Sequence, residues 1–340
     1  MSEGPGRDVA RAGIRDVAHH AGVAVSSVSR VLSGHPDVSP GMRERVMAAV
    51  QACGYAPNML AAGLRSGTSM SVGFVVGDIS NPLMSSVALA AGVRLAHRGY
   101  TLLLANSQDT PGRDAANVTA FRQRHVDGLL LSLTDETDAG TASALAAFGK
   151  PTVLLDRDAG SPGASRVLFD HAYGFRLATR HLIDLGHRRI AVVAGSPRVR
   201  HTRERIGAVA AELAASGLPQ ATVKLGSLSR AQGQTTARPV LTSARRPSAI
   251  ICGGNQLLPG VISAIRECGL RIPHDISLVA TDRNDLTEFY DPPLAFVSRD
   301  AAALGRAAAD SLLRRFDGGE PDTVTLPTAF VATGSCDRAP

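Results

Sequence analysis

The chain has 340 residues, of which 44% are hydrophobic and 19% charged, and a formal net charge of +6. That is a soluble, globular composition long enough for two or three domains. No run approaches the roughly 18 apolar residues of a membrane span, and the polar opening MSEGPGRDVARA lacks the apolar core of a secretory leader, so a cytoplasmic location is expected. Cys53, Cys252, Cys268 and Cys336 stand far apart with no CxxC pair, so neither a zinc ribbon nor a redox motif is indicated and reduced thiols are expected. The charge permits nucleic-acid binding without arguing strongly for it.

Gly13 can cap a short helix in which Ile14, Val17, Ala18 and Ala21 recur at helical spacing, and Gly22 breaks it. From Val25 to Leu32 the apolar positions Val28, Val31 and Leu32 form one face, leaving Val25, Ser26, Ser27, Ser29 and Arg30 outside it. Two short helices joined by AGV read as a helix-turn-helix, whose second helix can enter the major groove; an ordinary helical hairpin has the same pattern. Ser39 and Pro40 form an N-cap and first-turn pair for a third helix running through Val46, Val50 and Cys53 to Gly54. Pro57 and Asn58 begin one more amphipathic turn or two, MLAAGLRSG, before the chain changes character near Thr68.

From Ser71 onward, apolar runs alternate with helical stretches. SVGFVVG, YTLLLAN, VDGLLLS and PTVLLD form one series; SRVLFD, RRIAVVAG, PSAIICGG and DISLVATD form a second, and a final helix lies near Ala301 to Phe316. This is the βαβ rhythm of parallel sheets and predicts two Rossmann-like lobes. Ligands bind outside the carboxyl ends of such strands, which selects Asp78 to Asn81, Asp156, Arg157, Asp170, His171, Asn255 and Asp282. A solvated loop end or a helix cap is the plain alternative for each. Catalysis finds no support: GxSxG, HExxH, P-loop and GxGxxG patterns are absent, and His181 and His187 read as capping or surface residues.

The segments DVAxxAGV, SxVSRVL, VSPxxRERV and GYxPNxxAxxLRxG resemble the headpiece of the LacI/GalR transcription regulators. VGxxVxDISNP, VDGLLL, VLLDR, HLIDLGHRRIAVVAG, RERI, LxIPxDISLVATD and DPPLAFV resemble that family's periplasmic-binding-protein-like core over nearly its whole length. The resemblance implies an all-α headpiece joined to an α/β core of two Rossmann-like lobes. It places a tail at 1–12, the helix-turn-helix domain at 13–56, a hinge helix and linker at 57–69, and the effector-binding core at 70–340. Within the core, one lobe takes about 70–168 and 299–326, the other about 169–298 and 327–340.

The resemblance further implies that Val25, Ser26 and Arg30 face base edges, with Ser27 and Ser29 beside them, and that Ser39, Tyr55 and Asn58 lie nearer the phosphates. Leu64 would push between base steps in the minor groove. An arginine can read guanine bidentately, whereas a valine offers contact only to something like a thymine methyl. Ala24 stands where the family has a capping serine, and Gly63 lies inside the hinge helix; each costs about 1 kcal/mol. A hinge ordered only on DNA is therefore expected. In the cleft the resemblance implies Asp78, Asn81, Asp156 and Arg157 from one lobe, facing Asp170, Arg205, Asn255 and Asp282 from the other. Leu83 and Met84 replace the usual stacking aromatics and Gln256 a usual aspartate, which favours a sugar or sugar derivative over a nucleoside; Arg157 and Arg205 leave an acidic ligand open. The expected protein is a homodimeric, effector-controlled repressor of a pseudo-palindromic DNA operator, with no catalytic activity, metal, cofactor or membrane partner. The last residues carry no heptad helix for a tetramer. The alternative is a constitutive DNA-binding protein with a degenerate pocket.

Overall fold

A computed structural model describes residues 12–32, 34–55, 67–110, 112–159, 161 and 163–340. The chain divides between Ser69 and Met70 into two compact units.

In the first unit, helices α1 (Ile14–Ala21), α2 (Val25–Leu32) and α3 (Pro40–Ala52) enclose a small core. Val17, Val28 and Val46 are fully buried, with Ala18, Val31 and Ala49 around them. Burying each valine stabilises by about 1.5–3 kcal/mol. The Gly13 N–H donates to the Asp16 carboxylate at 2.7 Å, which fixes the start of α1. Gly22 ends it at φ +62, a left-handed conformation that glycine takes without a Cβ penalty. At α2 the Ala24 carbonyl accepts the Ser27 and Val28 N–H groups, but its methyl offers no acceptor to the other orphan donors. Ser39 occupies the N-cap position of α3 in extended conformation without making a side-chain cap bond, and Pro40 supplies the first turn.

The second unit contains two six-stranded sheets. The first series is β1 (Ser71–Val76), α4 (Pro82–Ala96), β2 (Thr101–Asn106), α5 (Arg113–Gln123), β3 (Gly128–Leu131), α6 (Ala139–Phe148), β4 (Thr152–Leu155) and β5 (Ser165–Phe169). The second begins with α7 (His171–Asp184), β6 (Ile190–Ala194), α8 (Arg200–Ala215), β7 (Thr222–Leu225) and α9 (Arg230–Leu241). It continues through β8 (Ala249–Gly253), α10 (Leu258–Glu267), β9 (Ser277–Thr281), α11 (Asp285–Phe289) and β10 (Ala295–Arg299). Helix α12 (Ala301–Phe316) and β11 (Thr323–Leu326) return to the first sheet, and β12 (Thr328–Val331) closes the second.

The sheet orders are β11-β5-β4-β3-β1-β2 and β12-β10-β9-β8-β6-β7. All pairs are parallel except β10 with β12. Apolar clusters cover both faces of each sheet, which is why the central strands read as continuous apolar runs rather than alternating ones. Helix α12 packs Leu304, Ala308 and Leu312 with Val87, Ala91 and Leu95 of α4. A Cβ on Gly305 would lie 2.4 Å from the Val87 carbonyl, so these helices touch backbone to backbone.

Two expectations are corrected. SRVLFD does not open the second series; it is β5 of the first sheet, paired with β4 and β11. His187 is neither a cap nor a surface residue: it is fully buried, with its ring nitrogens 2.8 Å from Ser248 Oγ and 3.0 Å from Ser277 Oγ. Two hydroxyls and the Asp337 carbonyl, 3.0 Å from Nε2, satisfy the buried imidazole in the turn between α7 and β6. No helix among the described residues is long and apolar enough to cross a membrane.

Candidate functional site

The outer face of α2 lies opposite buried Val28 and Val31. Val25 is 40% exposed, Ser26 and Arg30 are exposed, and Ser27 and Ser29 are half-buried beside them. The Arg30 guanidinium lies 3.5 Å from His35 Nε2 and 3.8 Å from Asp37 Oδ2. Long, solvent-exposed contacts of this kind hold a side chain weakly and are readily exchanged for a better acceptor. Ser39 is exposed, whereas Tyr55 is half-buried against the three-helix core. Asn58, Gly63 and Leu64 lie outside the described residues.

The second candidate site lies between the sheets, at the carboxyl ends of their strands. Asp78 and Asn81 follow β1, Asp109 follows β2, and Asp156 and Arg157 follow β4. His201 and Arg205 come from the first turns of α8, Asn255 and Gln256 from the loop after β8, and Arg299 from the end of β10. All ten line one cavity of about 60 Å³. A wider opening of about 410 Å³ adjoins it, sharing Asp109, Arg157, His201 and Leu228 and bounded also by Pro197, Val199 and Leu225.

The cleft is closed by direct bonds. Asn255 Nδ2 donates to Asn81 Oδ1 at 2.8 Å, and Gln256 Nε2 donates to Asp78 Oδ2 at 2.7 Å. Asn81 Oδ1 also accepts the Leu83 N–H at 3.1 Å, so the cap of α4 is the atom that meets the opposite lobe. At the rim, Arg198 reaches Asp135 and Arg203 reaches Glu136, both at 2.8 Å.

Asp156 and Asp282 end β4 and β9 in left-handed conformation, at φ +54 and +70. The buried Asp156 carboxylate accepts from Phe169 N at 3.2 Å, His171 Nε2 at 2.8 Å and Arg200 Nη1 at 3.3 Å, with Arg299 Nη1 at 3.6 Å. Arg299 grips Asp282 through Nε to Oδ1 at 2.7 Å and Nη2 to Oδ2 at 2.6 Å. Burial opposes ionisation of Asp156, but His171, His201 and Arg299 override it and hold the carboxyl well below the usual range. Burial pushes His171 down to about 4, outweighing the attraction of Asp156. Burial, with Arg205 and Arg157 nearby, also pushes His201 well below its ordinary value. Burial and the like charge of Arg299 lower Arg205 to about 9.

A pH dependence follows. The unfolded chain takes up a proton on His171 near pH 6.5 while the folded core refuses it until about pH 4, so stability falls as pH drops across that window, and His201 adds to the loss in the same direction. Asp156, whose folded pKa is depressed, adds a further loss below it. His171 alone accounts for about 3 kcal/mol at most. Urea midpoints measured from pH 7 to pH 4 are expected to fall steadily; a flat profile would contradict the buried neutral histidines.

Of the sequence-derived cleft residues, Asp78, Asn81, Asp156, Arg157, Arg205 and Asn255 line the cavity. Asp170 and Asp282 do not. Asp170 caps α7 by accepting the Tyr173 N–H at 2.9 Å, and Asp282 is taken up by Arg299. Asp109, His201 and Arg299 were not anticipated. Arg299 stands two residues beyond the apolar run of DPPLAFV, and His201 lies on the first turn of α8. Asp109 lies in the turn after β2, where it and Gln108 both have positive φ. Among the described residues no group of three His, Cys, Asp or Glu side chains is placed to hold a metal ion.

Residues 13–58 match the model of the bacterial regulatory proteins of the lacI family, and residues 179–336 match a periplasmic binding protein-like domain. The chain is 32% identical over 306 residues to the ribose operon repressor of Escherichia coli (strain K12), covering 89% of this chain and 92% of that one. It is 30% identical over 306 residues to the HTH-type transcriptional repressor PurR of Haemophilus influenzae (strain PittEE), covering 89% and 90%. Its fold is similar to that of the lac repressor dimer bound to operator and the anti-inducer ONPF, with a TM-score of 0.83, 28% identity and coverage of 95% of this chain and 98% of that one. With a three-helix headpiece, a two-lobed α/β core and relatives of this similarity along most of its length, the chain belongs to the lacI family of bacterial regulatory proteins.

Proposed function

We propose that the protein is a cytoplasmic, homodimeric transcriptional repressor that reads a pseudo-palindromic operator and is controlled by a small polar effector, a sugar or sugar derivative, bound between its lobes. The exposed polar face of α2, opposite buried Val28 and Val31, carries this reading. Val25, Ser26 and Arg30 contact base edges with Ser27 and Ser29 beside them, and Ser39 and Tyr55 lie toward the phosphates. One eight-residue helix reads too few base pairs to be specific, and a two-fold dimer doubles the readout at fixed spacing. In the cleft, Asp78, Asn81, Arg157, Arg205 and Asn255 supply convergent donors and acceptors for a hydroxylated solute. Asp156 and Asp282, saturated by internal partners, position the arginines and histidines around it. The cleft binds and does not catalyse.

One observation favours the alternative of a DNA-binding protein that ignores solutes: the 60 Å³ cavity is small beside the 300–1,000 Å³ of typical ligand sites. The lobe-to-lobe bonds of Asn81 and Asp78 are nevertheless of the kind that a solute's own polar groups replace as the lobes part. Selection of random DNA by the full-length protein tests the DNA reading. Enrichment of two-fold symmetric half-sites is expected, and retention of DNA without sequence enrichment would overturn it.

A further inference from the structure

We propose that the effector carries an oxyanion, a carboxylate or a phosphate, on a hydroxylated carbon frame, and that the oxyanion sits against Arg205 and Arg157; this rests on the reading of the cleft as an effector site. The clue is which charges in the cleft already have partners. Asp282 is paired with Arg299, and Asp156 is saturated by His171, Arg200 and the Phe169 N–H. Asp78 accepts from the backbone N–H and hydroxyl of Ser80, at 2.9 and 2.7 Å, and from Gln256 at 2.7 Å.

The two arginines are in the opposite condition. Arg205 is 2% exposed, donates Nη1 to the Gly253 carbonyl at 2.6 Å and Nε to His171 Nδ1 at 3.3 Å, and leaves Nη2 buried with no acceptor. The face of Phe175 lies 5.4 Å from the guanidinium carbon, and the Asp156 and Asp282 carboxylates attract it through space without bonding to it, being held by other partners. Arg157 donates Nε to the Leu133 carbonyl at 2.5 Å and Nη1 to the Asp156 carbonyl at 3.0 Å and to His201 Nδ1 at 3.2 Å. Every one of these acceptors is neutral.

A guanidinium whose direct acceptors are all neutral keeps donor capacity for an anion, and its planar fork matches a carboxylate or phosphate. Because His201 Nδ1 accepts from Arg157, its proton lies on Nε2, a third donor on the same wall. Asp109 is the one cavity-lining carboxylate that takes no side-chain hydrogen bond among the described residues. Burial and the nearby charge of Asp78 raise its pKa. It faces the wider opening as well as the cavity, and it would accept a hydroxyl of the frame while the oxyanion takes the arginines.

The test is calorimetric titration of the full-length protein with matched pairs: D-gluconate against D-glucose, and D-ribose 5-phosphate against D-ribose. An anionic member is expected to bind about 10- to 100-fold more tightly than its neutral parent, as charge-assisted bonds warrant. Which pair shows the preference separates carboxylate from phosphate. Arg157→Gln is expected to weaken the anion about 10- to 100-fold and the neutral sugar by a clearly smaller factor, so that most of the preference is lost. Arg205→Lys, which keeps the charge in a buried position, is expected to weaken the anion without abolishing it. A neutral sugar bound as tightly as its anion, or an Arg157→Gln variant that weakens both members equally, would overturn the oxyanion and leave the effector reading standing. No binding by any member would count against both.

Discussion

Replacing Arg299 with methionine is expected to destabilise the core by about 3–5 kcal/mol, the range found when one member of a buried ion pair is removed. The Arg299 side chain is 7% exposed, and its partners Asp282 and Asp156 are 8% and 4% exposed. Methionine fills much of the same volume but leaves two carboxylates at the bottom of the cleft, one stripped of its only side-chain partner among the described residues and the other weakened. The desolvation of Asp282 is then no longer offset, Asp156 keeps His171 and Arg200, and both already sit in left-handed backbone. Chemical denaturation of the variant checks the magnitude, and adding Asp282→Asn should recover part of the loss. A cost below about 1 kcal/mol, typical of surface pairs, would show that the pair is not structural. The exposed Arg98–Asp317 pair serves as the contrast: its removal should matter far less, because water screens both charges.

Replacing Arg30 with alanine should abolish operator preference while sparing the fold. A bidentate arginine contact discriminates by about 1–3 kcal/mol per base, so two half-sites lose about 2–6 kcal/mol of specific binding. Arg30 is exposed and outside the headpiece core, so helix content and unfolding should be little changed. Binding to non-specific DNA should weaken only slightly, with a smaller salt slope. Arg30→Lys keeps the charge but not the fork, so it should restore the salt slope more than the sequence preference. Quantitative binding to the selected operator and to scrambled DNA at several salt concentrations separates these effects. A uniform loss across all sequences would assign Arg30 to the phosphates instead.

The headpiece and the alternation of the lobes were legible because local chemistry and global packing agree there. Gly22 permits the left-handed turn that its position demands, and Val28 and Val31 point inward at helical spacing. The central strands β3, β4, β6 and β8 are buried throughout and almost wholly apolar because helices cover both faces. The places where the chain changes lobes were less legible. Strand β5 reads as the start of a new series, yet its partners are β4 behind it and β11 more than 150 residues ahead, a pairing that no local pattern reveals. Strand β7 lies at an edge with every residue exposed and offers no apolar run.

The same limit applies to the cleft. Asp78, Asn81 and Asn255 follow apolar strands and could be picked out from that position. Arg299 could not, because its importance comes from two aspartates 17 and 143 positions away that only the fold brings to it. Asp170 shows the converse: a polar residue after a strand can be a helix cap and nothing more visible than that.

The central claim is that the cleft and the DNA-reading helix are energetically coupled through one chain. An effector can shift operator affinity only by as much as it distinguishes the two lobe arrangements, and the coupling expected for such systems is about 1–3 kcal/mol. The direct measurement is operator affinity of the full-length protein with and without a saturating ligand shown by calorimetry to occupy the cleft. A change of about 5- to 150-fold, mirrored by the same factor in ligand affinity when operator is present, is the predicted result. A ligand that fills the cleft and leaves operator affinity unchanged would contradict the account.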